Sequence, residues 1–201
     1  MNLLLMRHGQ TEWNLQMRTQ GRMDIPLDET GRMQAMLAAE RLRNAKIDAV
    51  YASPLLRAYE TAKAAASLHG LPVISHPLLV ERNFGSWEGE EFSVLANKYP
   101  EGLRLWREDP LGYTPENAES LLDVLTRCIQ FMNEITARHE ENETVLIVAH
   151  SIPLRLMVAH LIGLPPQNIH SLRLDNAAYT EVLLREKYNT LLVLNDTGHL
   201  N

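Results

Sequence analysis

Asn2-Leu3-Leu4-Leu5-Met6-Arg7-His8-Gly9 opens the chain with an unbroken apolar run that leads straight into a cation, an imidazole and a glycine. Without apolar–polar alternation, such a run suits a strand covered on both faces, as in a parallel sheet. Ile47 to Ala52, Val145 to Ala149 and Leu191 to Leu194 have the same character. Between these runs the spacing predicts helices over Thr30 to Ala45, Pro54 to Leu68, residues 118–139 and Pro153 to Ile162. In the third of these, Leu121, Leu122, Leu125, Cys128, Ile129, Met132 and Ile135 share one stripe. Strands alternating with helices predict an α/β fold, a three-layer sandwich with a mainly parallel central sheet and helices on both faces. Residues 82–117, rich in Gly, Pro and aromatics, read as an excursion with short helices over one sheet edge. The expectation is a single domain spanning residues 1–201.

With 201 residues and 45% hydrophobic composition, the chain can bury a sizeable core. A net charge of -6, from 19 Lys+Arg against 25 Asp+Glu, argues against a broad grip on nucleic acid or an anionic membrane. One small anion in a locally basic pocket remains compatible with it. The lone cysteine, Cys128, excludes an intrachain disulfide framework and a thiolate zinc cluster. Its place on the apolar stripe reads as a buried small hydrophobe. The first apolar run is too short for a signal peptide, and the expectation is a cytoplasmic protein.

Ligands of open α/β sheets bind beyond the carboxyl ends of the strands, and three strand ends here carry related chemistry. The first runs into Arg7-His8-Gly9, and the third into His150-Ser151. The second ends at Ser53-Pro54, read as N-cap and first helical residue, with Arg57 in the following turn. A cation near the positive end of a helix calls for something anionic nearby. Convergent Arg7, Arg57, His8 and His150 suit a phosphoryl group, because guanidinium forks match its oxygens and imidazoles can donate to them. A metal site using His8, His150 and Glu81 competes for the same residues. Two arginines would repel a divalent cation, and the histidines lack a short paired spacing such as H-x-x-x-H.

Arg7-His8-Gly9-Gln10-Thr11-Glu12-Trp13-Asn14 resembles the R-H-G-[EQ]-[ST]-x-x-N signature of the histidine phosphatase superfamily, phosphoglycerate mutase-like branch. The likeness continues in order through Gln20-Gly21, Pro26-Leu27-Asp28-Glu29-Thr30-Gly31, Ser53 to Ala58, Glu81, Trp87-Glu88-Gly89, His150 and Leu194 to Leu200. Asp175-Asn176-Ala177-Ala178-Tyr179 and Tyr99-Pro100-Glu101 are similar to segments of the metal-independent phosphoserine phosphatases. The other small phosphatases of the branch are the broad-specificity and α-ribazole types.

The resemblance implies a phosphohistidine intermediate on His8, with Arg7, Arg57 and His150 holding the phosphoryl oxygens. Asn14, Gln20, Gly21 and the Ser151 N–H would add to that pocket, and Glu81 would act as general acid and then base. The excursion would cover this site. The implied activity is phosphomonoester hydrolysis on a small phosphorylated metabolite, with no metal, cofactor, nucleic acid or membrane partner, by a monomer or homodimer. Only 69 positions separate Glu81 from His150, whereas the cofactor-dependent mutases carry an extended insertion there. Phosphoglycerate mutase activity is nevertheless the alternative, followed by a non-catalytic phosphoryl-binding module. Two departures stand out. Glu81-Arg82-Asn83-Phe84-Gly85 is closer to the mutases' E-R-x-[YF]-G, which offers Arg82 to a substrate carboxylate. Asn117-Ala118-Glu119-Ser120 replaces the phosphatases' G-G-E-S.

Overall fold

The computed structural model describes residues 1–200, and its strands form one sheet in the order β3-β2-β4-β1-β5-β6. These are β1 (Asn2–Arg7), β2 (Ala49–Ala52), β3 (Val73–Ser75), β4 (Thr144–Ala149), β5 (Tyr179–Leu183) and β6 (Thr190–Asp196). β3, β2, β4 and β1 are mutually parallel, while β5 and β6 run antiparallel. The helices are α1 (Glu12–Leu15), α2 (Glu29–Leu42), α3 (Leu56–Leu68), α4 (Phe92–Lys98), α5 (Pro100–Glu108), α6 (Leu121–Arg138) and α7 (Ser151–Ile162).

Period-two alternation explains why the apolar runs are continuous. Leu3, Leu5, Val145 and Ile147 enter one core with Leu121, Phe131, Leu154 and Val158 of α6 and α7. Leu4, Met6, Leu146 and Val148 enter the other with Ala38, Ala39, Ala62 and Ala66 of α2 and α3. Each large aliphatic side chain so buried contributes about 1.5–3 kcal/mol. The expected sandwich, helices on both faces of a mainly parallel sheet, is the observed one.

Individual elements differ from expectation for identifiable reasons. The run Leu191–Leu194 lies in the antiparallel edge strand, where Leu192 and Leu194 are 50% and 42% exposed. An apolar run reports hydrophobicity and not cover. β3 is three residues long, and β5 carries the mixed sequence YTEVL, so neither announces itself as a buried strand. In α6 the buried stripe includes Val124 and Phe131, whereas Leu122 points to solvent. The helix begins later than expected because Ser120 and Asp123 form a capping box, each side chain accepting from the other's backbone N–H at 3.1 Å. Ser53 does not cap α3. The helix starts at Leu56, and Ser53 Oγ is engaged elsewhere.

The excursion consists of a 3-10 turn (Gly85–Trp87), α4 and α5. Buried Trp87 lies 6.0 Å from the Tyr113 ring and 6.4 Å from that of Tyr99, in a stacked arrangement with the latter. Among the described residues, no helix is long and apolar enough to cross a membrane.

One contact sets the shape of the turn after β1. A Cβ on Gly9 would sit 2.5 Å from the Gly31 carbonyl oxygen, and one on Gly31 would collide with the Gln10 carbonyl. Both positions need glycine because two backbones touch there. The start of α2 thereby braces the turn that carries His8.

Candidate active site

β1, β2 and β4 all end at one pocket of about 280 Å³, lined among others by Arg7, His8, Arg57, Glu81, Ser151 and Arg155. A larger groove of about 600 Å³ at the amino end of β1, lined by residues such as Met1, His139 and Arg185, contains none of these groups.

His8 is buried, and its Nδ1 lies 2.7 Å from the Gly9 carbonyl. A carbonyl can only accept, so Nδ1 carries the proton and Nε2 of the neutral ring keeps its lone pair. Burial, followed by the charges of Arg57 and Arg7, holds the His8 pKa well below its usual value. Lowering of that pKa favours the neutral ring, with its Nε2 lone pair available. The turn beneath it is held from the far side by Asn176, whose Nδ2 donates to the His8 carbonyl at 3.0 Å and the Gly9 carbonyl at 3.3 Å. The backbone N–H of Ala177 also reaches the His8 carbonyl, at 3.1 Å.

His150 packs beside His8, with ring centroids 5.1 Å apart. Its Nε2 is 2.8 Å from Ser53 Oγ, which is where the hydroxyl at the end of β2 is used. With Ser53 donating, the neutral ring carries its proton on Nδ1, a buried atom with no partner. Burial and the Arg57 charge lower the pKa of His150 well below normal too.

The two arginines are anchored by some nitrogens and leave others free. Arg57, fully buried, donates from Nη1 to Met23 O at 2.7 Å and from Nη2 to Gly21 O at 2.8 Å, while its Nε has no partner. Arg7 donates from Nη1 to Leu174 O at 2.8 Å, and its Nε is likewise free. Burial lowers both to about 10, so both stay charged at neutral pH. An unpaired buried guanidinium is costly, and an anion between them relieves it.

Glu81 is 7% exposed, and its Oε1 accepts from the Arg82 N–H at 2.7 Å. Burial raises its pKa, against the opposing effects of that hydrogen bond and of Arg57, Arg127 and Arg7. A carboxyl whose pKa is raised in this way is suited to give up a proton as a general acid.

Asn14 caps α1 together with Thr11. Its Oδ1 accepts from Thr11 N at 3.1 Å and from Asn176 Nδ2 at 3.3 Å, which leaves its own Nδ2 for the pocket. Gln20 and Gly21 also line it, and Gln20 Oε1 is buried without a partner. Ser151 is the first residue of α7, and no side chain caps that helix, so its N–H and the positive helix end face the pocket.

Arg82, like His150, is not among the residues that line the pocket. It is fully buried outside the pocket lining, donates from Nε to Glu119 O at 2.8 Å, and lies over the Phe84 ring at 5.5 Å. Its Nη1 and Nη2 are buried without a partner. The Glu119 side chain pairs with Arg127 at 2.9 Å and Arg22 at 3.2 Å. The departure from two glycines is accommodated nearby, where Asn117 takes φ +58°, a conformation asparagine tolerates.

Arg155 and Asn176 are missed by the sequence reading. Arg155 lies one helical turn beyond Ser151, and that i,i+4 spacing from a site residue is a signal that finds it. Cys128 is buried, and its thiol is pushed up to about 12, as suits an inert core residue.

Comparison with known proteins identifies the class. Residues 3–197 match the family model of the histidine phosphatase superfamily, branch 1. The chain is 38% identical over 198 residues to phosphoserine phosphatase 1 of Hydrogenobacter thermophilus, covering 98% of this chain and 93% of that one. A mycobacterial glucosyl-3-phosphoglycerate phosphatase, solved with VO3, superposes with a TM-score of 0.89 at 34% identity, covering 98% and 99% of the two chains. The α-ribazole phosphatase of Shigella flexneri superposes at 0.88 with 32% identity, covering 98% and 96%. The chain belongs to the histidine phosphatase superfamily, and its phosphatase-named homologues agree with a phosphoric monoester hydrolase.

Proposed function

We propose that the protein hydrolyses small phosphomonoesters through a phosphohistidine on His8. The observation that carries this reading is the locked tautomer: His8 Nδ1 donates to Gly9 O and leaves Nε2 as the nucleophile in a pocket with Arg7, Arg57 and Glu81. Nε2 attacks phosphorus in line, the P–O bond to the leaving group breaks, and Glu81 gives its proton to the departing oxygen. Arg7, Arg57, His150 Nδ1–H and the Ser151 N–H stabilise the charge on the phosphoryl oxygens. Glu81, now a carboxylate, takes a proton from water, and the resulting hydroxide displaces the imidazole. Inorganic phosphate leaves, and both residues return to their starting states.

The pocket of about 280 Å³ favours a compact ester. Steady phosphate release from p-nitrophenyl phosphate and from a panel of small phosphorylated metabolites is the test. Interconversion of 3- and 2-phosphoglycerate dependent on a bisphosphate primer, without net phosphate release, would replace hydrolase by mutase.

Arg7 and Arg57 already supply positive charge at the phosphoryl position, where a divalent cation would be repelled. Activity is therefore expected to survive exhaustive dialysis against EDTA. A loss that zinc or magnesium restores would contradict the arginine-clamp reading.

A further inference from the structure

Thr61 lies outside the pocket lining, yet it is bonded to both halves of the phosphoryl site. It sits on the second turn of α3 and is 1% exposed. Its Oγ1 donates to the Arg57 carbonyl at 2.6 Å and accepts from the Gly9 N–H at 3.0 Å. A hydroxyl has one proton and a carbonyl only accepts, so the direction of both bonds is fixed. The Arg57 carbonyl belongs to the residue whose guanidinium lines the pocket, and the Gly9 N–H belongs to the peptide that joins Gly9 to His8. One hydroxyl therefore spans the helix of the clamp and the turn of the nucleophile.

Two consecutive peptides follow His8, and each is held at both ends. The His8–Gly9 peptide offers its carbonyl to Asn176 Nδ2 at 3.0 Å and to the Ala177 N–H at 3.1 Å, and its N–H to Thr61. The Gly9–Gln10 peptide offers its carbonyl to His8 Nδ1 at 2.7 Å, and its N–H to Gln34 Oε1 of α2 at 2.8 Å. The second peptide sets the tautomer of the imidazole, and the first sets where that second peptide stands. Asn176 comes from the segment before β5 and Gln34 from α2, so among these braces Thr61 is the one that ends on the helix of Arg57. Without its hydroxyl, the Gly9 N–H becomes a buried donor lacking that acceptor, a costly state that a shift of the turn relieves. Such a shift carries the Gly9 carbonyl with it, and the imidazole follows.

We propose that Thr61 is a positioning residue for phosphoryl transfer: its hydroxyl fixes His8 relative to Arg57, so that in-line attack and charge stabilisation coincide. It touches no reacting atom. This rests on the phosphatase reading and adds to it what holds nucleophile and clamp together. A misplacement of about 1 Å at a reacting centre costs on the order of 10²-fold in rate. Arg57 keeps its anchors on Met23 O and Gly21 O when the Thr61 hydroxyl is absent. Phosphate binding should therefore be spared while the chemical step slows.

Two substitutions separate the hydroxyl from the shape. Thr61→Val keeps the branched outline and removes both hydrogen bonds, whereas Thr61→Ser keeps the hydroxyl without the methyl group. The readouts are kcat on p-nitrophenyl phosphate and the inhibition constant of inorganic phosphate. Thr61→Val is expected to lose about 10- to 100-fold in kcat while its phosphate inhibition constant stays close to wild type. Thr61→Ser should resemble wild type in both. A wild-type kcat in Thr61→Val, an equal loss in Thr61→Ser, or a kcat loss matched by an equal loss of phosphate binding overturns the assignment and leaves the phosphatase reading standing. Should the valine variant not fold, Thr61→Ser against Thr61→Cys makes the same comparison, because the thiol is close in shape and a weaker acceptor. The cysteine variant is then expected to be the slower, and equal rates overturn the proposal. Failure of the wild-type protein to release phosphate from any ester would instead remove the phosphatase reading, and this inference with it.

Discussion

His8→Ala is expected to be a folded protein whose phosphate release is lower by about 10⁴-fold or more, the scale of removing a nucleophile that forms a covalent intermediate. Structural damage should be slight. The ring's one internal hydrogen bond, to Gly9 O, is worth about 1 kcal/mol net, and the Gly9 backbone is held independently by Gly31 and Asn176. Circular dichroism and a thermal melt would establish the fold, and a phosphate assay the loss. A folded variant retaining a tenth of wild-type turnover would mean that water attacks the ester directly, with His8 only lining the pocket.

Glu81→Gln should separate esters by their leaving groups. A poor leaving group needs its proton, so hydrolysis of an alkyl phosphate is expected to fall by about 10²–10⁴-fold, while an activated aryl phosphate loses far less. Arg57→Ala removes charge from the phosphoryl group itself, and both esters should suffer together. The pH profile gives a second, independent reading. Alkyl ester hydrolysis by the wild-type protein should decline as pH rises through the Glu81 pKa, because its protonated form is the acid, and that pKa is raised by burial. On the acid side activity should persist until His8, whose pKa is depressed, takes up a proton. Glu81→Gln should lack the alkaline decline. An identical leaving-group profile for Glu81→Gln and Arg57→Ala would contradict the division between acid and clamp.

The sequence makes the phosphoryl cluster legible for a topological reason. His8, Arg57 and His150 each follow an apolar run closely, and a parallel sheet brings the carboxyl ends of its strands together whatever the loops do. Glu81 carries no such mark. It is one carboxylate among 25 acids, and its raised pKa depends on burial by chain far away in sequence. Only the ordered family resemblance points to it. Arg82 shows the converse: adjacent to Glu81 in the chain, it lies outside the pocket lining and donates from Nε to Glu119 O, a contact 37 positions distant. Asn176 lies in a segment whose likeness is readable, but its use as a brace beneath His8 depends on β5 pairing with β1. The antiparallel half of the sheet is the least legible part, because β5 mixes polar and apolar residues and β6 is apolar yet half open to water.

The covalent intermediate itself is the most direct test of the proposed chemistry. Enzyme mixed with a radiolabelled phosphomonoester on the millisecond scale and denatured in alkaline detergent should carry phosphate on His8, stable to base and released by acid, with the label absent from His8→Ala. It should form and decay at least as fast as steady turnover. Rapid turnover with no protein-bound phosphate at any time, or label on a residue other than His8, would contradict the account.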